Sequence, residues 1–491
     1  MKQLFLFFVI ALSVGFALAQ QPQVAPFGPT PSKAQLEWQK MEMNMFCHFG
    51  PNTFTGKEWG DGTEIEDIFN PTDLNCQQWA NTAKAAGFRG VIITAKHHDG
   101  FCLWPNPASE HTVKQSAWRN GNGDVLKELS DACRQSGLKF GVYISPWDRN
   151  APTYGTPAYN NVFLQTLQSA LSSYGPVFEQ WFDGANGEGP NGKKQVYDWP
   201  AFNGQVYKLQ PNAVIFSDVG PGCHWMGNEQ GVNGRTSWSR LDIDGFGPGS
   251  DSPALDTLNT GNYNGKYWIP AETDVSIRPG WFYRDSEHPK SLNELLNIYY
   301  TSVGRNSLLL LNVPPDQRGQ IAAEDSIRLM EFREALNTIF AHNLAPEAEF
   351  IFSSNMKSNY IVVPWRKMAG DSRPAEVNLI DGNYDTYWVA ADNGKRPEIT
   401  LQFTQPKTFN RIVLQEYIPL GQRVAKFHII AKLTDGKWHT IADETTIGYK
   451  RIVLTNTVTA SLVRIIIDEA RAVPVINNIG IYMDNITEIQ Q

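Results

Sequence analysis

The sequence predicts a (β/α)8-like barrel followed by an antiparallel β-sandwich, and three observations carry that reading. Between residues 40 and 340, short apolar runs alternate with helix-period segments. Polar residues gather where those runs end. From about Pro346 the helix period gives way to alternating strands separated by turn signals.

The strand-like runs are Met43–His48, Gly90–His97, Lys139–Ser145, Val177–Asp183, Ala213–Ser217, Tyr267–Glu272 and Ser307–Asn312. Helical segments at Leu74–Ala86, Val125–Ser136, Asn161–Ser173, Trp199–Leu209 and Leu292–Val303 separate them. Seven strands are readable, so the best fit is an eight-stranded barrel with one strand unplaced; long Gly-rich connections follow Gly184 and Gly220. His48, His97, His98, Tyr143, Ser145, Asp183 and Glu272 fall at the run ends, the face of a β/α barrel where sites are built.

After the helix Asp325–Ala341 and the linker Asn343–Pro346 come sandwich strands at Ile399–Phe403, Arg411–Glu416, Phe427–Lys432, Ser461–Asp468 and Asn478–Met483. The division is therefore a barrel over 20–345 and a sandwich over 346–491. At the other end, Lys2, the apolar stretch Leu4–Leu18 and Ala17-Leu18-Ala19 have the form of a secretory signal peptide at 1–19, which predicts an exported, periplasmic or secreted protein. That stretch is shorter than the roughly 20 residues of a membrane helix, and nothing later is long and apolar enough to span a bilayer.

The 42 basic and 50 acidic residues include no Lys/Arg cluster, which argues against nucleic acid as a partner. The five cysteines are odd in number and scattered from Cys47 to Cys223, so mostly free, buried thiols are expected despite export. Fifteen Trp and seventeen Tyr offer flat faces that suit sugar rings, although buried aromatics are also ordinary core residues.

Lys96-His97-His98-Asp99-Gly100-Phe101 follows a clear strand. Two His and an Asp are metal-ligand types, yet neighbours at a strand end should point to opposite sides, and no Cys or H-x-x-x-H spacing accompanies them. Hydrogen bonding to ligand hydroxyls is favoured over a structural role and over a metal, since neutral imidazole both donates and accepts. Asp183, in Glu179-Gln180-Trp181-Phe182-Asp183-Gly184, has an ordinary reading as a turn or cap residue. Against it, Gly184 would let a ligand approach closely, and Trp181 and Phe182 would exclude water, which suits a nucleophile.

His48-Phe49-Gly50, Glu58-Trp59, the Lys96–Phe101 motif, Gly141–Trp147, Trp181–Ala185 and Trp225-Met226-Gly227-Asn228-Glu229 occur in that order. Together they resemble glycoside hydrolase family 29, the retaining α-L-fucosidases, over nearly all of the chain. The last motif and the sandwich resemble the branch that prefers α-1,3 and α-1,4 linkages. The resemblance implies that Asp183 is the nucleophile and that His48, Glu58, Trp59, His97, His98, Tyr143 and Trp181 line a fucose site. By their position alone, Glu58 and Trp59 read as a solvated loop. For the general acid/base two residues compete. Glu272 ends a strand-like run, the position bottom-up reading prefers, whereas Glu229 lies in a Gly-rich loop but matches the branch's Gly-Asn-Glu motif. Glu229 is preferred on the resemblance.

The segment Asn378–Trp388 resembles the start of a discoidin-like, galactose-binding-like module, expected to brace the barrel rather than to bind glycan. The function this implies is an exo-acting retaining fucosidase that releases L-fucose from fucosylated glycans through a covalent intermediate, with neither cofactor nor metal. The rival readings are a carbohydrate-binding protein that has lost catalysis and a metal-dependent hydrolase using His97, His98 and Asp99.

Overall fold

The structure, a computed structural model, describes residues 24–353, 375–391 and 396–487. The signal-peptide expectation at 1–19 lies outside the described residues.

Eight parallel strands close a barrel in sequential order: β1 (Met43–Cys47), β2 (Gly90–Lys96), β3 (Lys139–Ile144), β4 (Val177–Trp181), β5 (Val214–Ser217), β6 (Cys223–Trp225), β7 (Ala271–Ser276) and β8 (Leu308–Asn312). The strand unplaced by sequence is β6. At three residues it is too short to register any period, and it holds its place through Phe216↔Cys223 on one side and His224↔Ala271 on the other.

Tyr267–Glu272 is not one strand. Tyr267–Trp268 pairs antiparallel with Arg240–Leu241 outside the barrel, Pro270 follows, and β7 begins at Ala271. Glu272 therefore stands near the start of β7, not at its end. The strand runs on through Asp274 to Ser276.

The strands are buried on both faces, so they read as apolar runs without clean alternation. Phe46, Ile92, Tyr143, Trp181, Val214, Phe216, Cys223, Leu308 and Leu310 fill the barrel interior. The intervening residues, such as Val91, Ile93, Val142, Ile144, Leu309 and Leu311, meet the helices. Those helices start and stop where local chemistry dictates. Asp124 caps Val125–Ser136 by accepting from Lys127 N, and Gly137, at φ 73°, ends it in the left-handed conformation that glycine adopts without strain.

The C-terminal sheet contains Ala348–Phe352, Trp388–Val389, Glu398–Glu416, Val424–Leu433, Trp438–Glu444, Arg451–Ala470 and Val475–Tyr482. Ile399–Phe403 and Arg411–Glu416 are two ends of a single long strand whose register shifts between Gln402 and Lys407. Trp438–Glu444 escaped the sequence because it is an edge strand exposed or half-buried throughout, with no apolar alternation to read. The sheet has its own core around Phe350, Trp388, Ile399, Leu401, Phe427 and Val463. Val413 and Ile452 belong instead to the core of the barrel's helical layer, which welds the two units together.

All five cysteines are buried and unpaired. Among the described residues, no helix is long and apolar enough to cross a membrane.

Candidate active site

Strand ends place the first wall of the site. β4 stops at Trp181, Phe182 N still bonds Phe216 O, and Asp183 is the next residue into the open. Its Oδ1 accepts from Ala185 N at 2.7 Å, which fixes the carboxylate, while Oδ2 accepts from the Tyr143 hydroxyl at 3.0 Å. Trp181 stacks on Phe216 at 3.8 Å and on Tyr143 at 5.2 Å, giving the pocket a rigid aromatic side. Phe182 points the other way, into the helical layer against Phe163 and Trp199, so it does not shield Asp183. Gly184 is required by Asp218, not by a ligand: a Cβ there would lie 1.9 Å from Asp218 Oδ2.

The three histidines converge. β2 ends at Lys96, so His97 and His98 no longer alternate as strand neighbours do, and both line one cavity with ring centroids 4.2 Å apart. Burial holds all three neutral, pushing His48 down to about 3, His98 to about 4 and His97 well below the usual imidazole range. Their fixed partners then assign the tautomers. Asn312 Oδ1 takes a hydrogen bond from His48 Nδ1 at 2.9 Å, because Asn312 Nδ2 is spent on Ser276 and Trp281. Ser145 donates to Trp147 O, so its oxygen accepts from His98 Nδ1 at 2.8 Å. Both rings keep Nε2 as an acceptor, and that of His98 lies 3.6 Å from Asp183 Oδ2. His97 Nδ1 faces the donor Asn52 Nδ2 at 3.5 Å, which leaves its Nε2–H as a donor. Two acceptors and one donor around a small space match vicinal sugar hydroxyls.

Loops build the opposite wall. Glu58 is held, not solvated: Oε1 accepts from Trp281 N at 2.6 Å and Oε2 from Arg284 Nη2 at 2.7 Å. Trp59 is 55% exposed and meets His98 and Trp147 edge-on, leaving an aromatic face at the mouth. Glu229 is exposed at the rim, its Oε2 accepting from Trp281 Nε1 at 3.2 Å. Partial desolvation of its carboxyl, followed by the charges of Asp183 and Glu58, raises its pKa above the usual carboxylate range. Such a group is held toward its protonated form next to an anion, the pairing that acid-assisted bond cleavage needs.

These residues enclose a cavity of about 120 Å³ lined by His48, Glu58, His97, His98, Asp183 and Trp281, among others. A second, more open cavity of about 460 Å³ adjoins it, lined by Asn186, Lys194, Asp218, Trp225, Ser250 and Ser252. Trp181, Asp183, Ala185, Glu229 and Asp274 line both and form the boundary between them.

Comparison with known proteins decides what this site belongs to. Residues 25–338 match the family described as Alpha-L-fucosidase, and residues 365–480 match the F5/8 type C domain. The chain belongs to the α-L-fucosidase family. Alpha-L-fucosidase 1 of Arabidopsis thaliana is 42% identical over 98% of this chain and 94% of that protein. A putative α-L-fucosidase from Bacteroides thetaiotaomicron superposes with a TM-score of 0.86 at 37% identity, covering 94% of this chain and 99% of that one. A Ruminococcus gnavus GH29 fucosidase solved in complex with fucose gives 0.84 at 32% identity, covering 94% and 97%.

In this fucosidase, every residue expected at the site except Glu272 lines the smaller cavity. Glu272 is fully buried one layer below, where its Oε1 accepts from Trp181 Nε1 at 2.8 Å and its carboxyl meets that of Glu179. It lines neither cavity. Among the described residues, Glu179, Cys223 and Glu272 form the group of metal-ligand types that lie close together, within 4.8 Å. His97, His98 and Asp99 do not converge in that way, because Asp99 turns back to accept from Phe101 N at 2.7 Å and from Asn52. Sequence reading missed Trp281 and Asp274. Placing β7 correctly would have found both, since Asp274 is on that strand and Trp281 is in the loop after it.

Proposed function

We propose that this α-L-fucosidase is exo-acting and retaining, with Asp183 as the nucleophile that forms a covalent glycosyl-enzyme and Glu229 as the acid/base. The observation that carries the reading is the boundary between the cavities. The smaller pocket and the wider space share Asp183 and Glu229 on their boundary, and a terminal fucose seated in the first with its leaving group in the second has its glycosidic bond beside those two carboxyls. Tyr143 and Ala185 N hold Asp183 as an oriented carboxylate, as attack on the anomeric carbon requires. Glu229, biased toward its protonated form, gives its proton to the leaving oxygen and then removes one from the incoming water.

The α-1,3/1,4 preference rests on the Gly227-Asn228-Glu229 motif and the C-terminal module, which resemble that branch. The open second cavity, with Trp225 and Lys194 on its walls, supports a branched acceptor. Export of the protein, to the periplasm or beyond, rests on the N-terminal Lys2 and Leu4–Leu18 pattern. Hydrolysis of a panel of fucosylated oligosaccharides, followed by NMR, tests chemistry and linkage together. Initial release of α-L-fucose, and faster cleavage of Lewis-type trisaccharides than of 2'-fucosyllactose, is expected. Initial release of the β-anomer overturns the mechanism, and a preference for the α-1,2 linkage overturns the branch.

A further inference from the structure

β7 carries a side chain that the two-carboxyl mechanism does not use. Glu272, Asp274 and Ser276 alternate along its inner face, and Asp274 is the one at the depth of the site. It is 3% exposed and lines both cavities, on the same boundary as Asp183 and Glu229. The Trp225 side chain hydrogen-bonds its carboxyl, yet Oδ1 is buried and has no hydrogen-bond partner among the described residues. A buried carboxyl oxygen without a partner is costly unless something else supplies one, and here the atom borders the space a substrate fills.

We propose that Asp274 is a third substrate-contacting carboxyl of this site, and that it donates a hydrogen bond to a sugar oxygen beside the scissile bond. The surroundings select a donor. Glu229 and Asp183 face it across the cavities and Glu272 lies below it on its own strand, while Lys194 is on the far wall of the wider cavity. Burial, and after it the charges of Glu229 and Asp183, push Asp274 well above the usual range, which favours the protonated, donating form. An O–H held in a dry wall can bond an ether or hydroxyl oxygen that an anion would only crowd. It also leaves Glu229 beside one negative charge instead of two. The inference rests on the reading that Asp183 and Glu229 flank the glycosidic bond.

The test compares Asp274→Ala, Asp274→Asn and wild type on an aryl fucoside and a fucosylated oligosaccharide, with Asp183→Ala assayed alongside. Loss of a donor to substrate predicts a fall of about 10- to 100-fold in kcat/KM for Asp274→Ala. Asp274→Asn, which restores an N–H of similar shape, should recover about tenfold of that loss while leaving the alkaline limb of the pH profile in place. Wild-type kcat/KM in Asp274→Ala overturns the proposal. So does an alkaline limb moved to lower pH in Asp274→Asn, because that would mean an anion had been removed from beside Glu229. Should Asp274→Ala fail to fold, the infrared difference between wild type and Asp274→Asn decides: a protonated-carboxyl band at neutral pH is expected, and its absence overturns the idea. If Asp183→Ala stays active while the Asp274 effects hold, the failure belongs to the assignment of the nucleophile instead.

Discussion

Asp183 and Glu229 look across the same boundary, but the first stands two residues beyond a barrel strand and the second hangs from a loop whose far end is tied to the sandwich. Asp183 inherits its position from β4, and Trp181, Tyr143 and Phe216 leave that wall no room to move. The Glu229 loop is tied to the barrel at Gly231 and Asn233, through Thr301 and Arg305, and farther along to the sandwich. Gln422 accepts from Ser239 N and donates to Ser237 O, Thr446 accepts from Ser237 N, and both Thr445 and Arg451 donate to Arg235 O. A nucleophile must meet one carbon in one geometry, whereas an acid must follow leaving groups of different shape. In the proposed mechanism the barrel alone holds the nucleophile, whereas barrel and sandwich together hold the loop that carries the acid.

Removing each carboxyl sharpens that contrast. Asp183→Ala should lower kcat by a factor on the order of a thousand or more on every substrate while leaving the melting temperature close to wild type. Added azide should restore part of the turnover of an activated fucoside. Near-normal turnover without azide would remove Asp183 from the mechanism. Glu229→Gln should cost about 10²- to 10³-fold on an oligosaccharide and far less on an aryl fucoside whose leaving group needs no proton. With Glu229 as the proposed acid and its pKa raised, wild-type activity should fall as pH climbs through that pKa, and the limb should vanish in Glu229→Gln. The leaving-group signature appearing in Glu272→Gln, and not in Glu229→Gln, would reverse the assignment.

The brace should show a smaller and more selective effect. Gln422 is fully buried, so Gln422→Ala strands the Ser239 N–H, while the Ser237 C=O keeps its bond from Asn306 Nδ2, at a cost of about 1–2 kcal/mol in stability. Because Ser239 lies on the segment that leads to Glu229 and, among the described residues, makes no contact with the Asp183 wall, about a threefold loss in kcat is expected on oligosaccharides, with little on an aryl fucoside. Equal losses on both substrates would mean that the sandwich supports the barrel as a whole.

The Glu179–Glu272 pair should affect stability rather than turnover. Burial pushes Glu179 up to about 7, and burial together with the Glu179 charge raises Glu272 well above the usual carboxylate range, so the native state holds protons that the unfolded chain gives up. Stability from these groups is complete below the unfolded carboxyl range and declines as pH rises through about 7. Glu272→Gln keeps the acceptor for Trp181 Nε1 without the proton, and should raise stability on the order of 1–2 kcal/mol at about pH 8 with little change at about pH 5. Parallel melting curves across that range would refute the shared-proton account.

Much of this molecule was legible beforehand, and the misses have physical causes. Strands buried on both faces announced a parallel barrel, and helices such as Val125–Ser136 and Trp199–Leu209 lie where their periods put them. Composition could not find β6, whose three residues owe their place to neighbours on both sides. Nor could a hydrophobic run show that Tyr267–Trp268 and Ala271–Ser276 serve different sheets. That error put Glu272 at the rim and hid Asp274. Glu58 and Trp59 were recognisable only by resemblance, because what orders them is distant in sequence: Trp281 and Arg284 for Glu58, His98 and Trp147 for Trp59.

The distribution of thiols gives the barrel a built-in reporter of its own opening. Cys47, Cys76, Cys102, Cys133 and Cys223 all lie in the barrel, and the sandwich has none. Burial pushes Cys102 and Cys133 up to about 12 and raises the other three as well, so in the closed state these thiols are poor nucleophiles shut away from reagent. Alkylation therefore counts excursions of the barrel and ignores loosening of the sandwich alone. Four of the thiols sit in the helical layer and Cys223 inside the strands, so the order in which they become modified separates the peeling of helices from the breaking of the barrel itself.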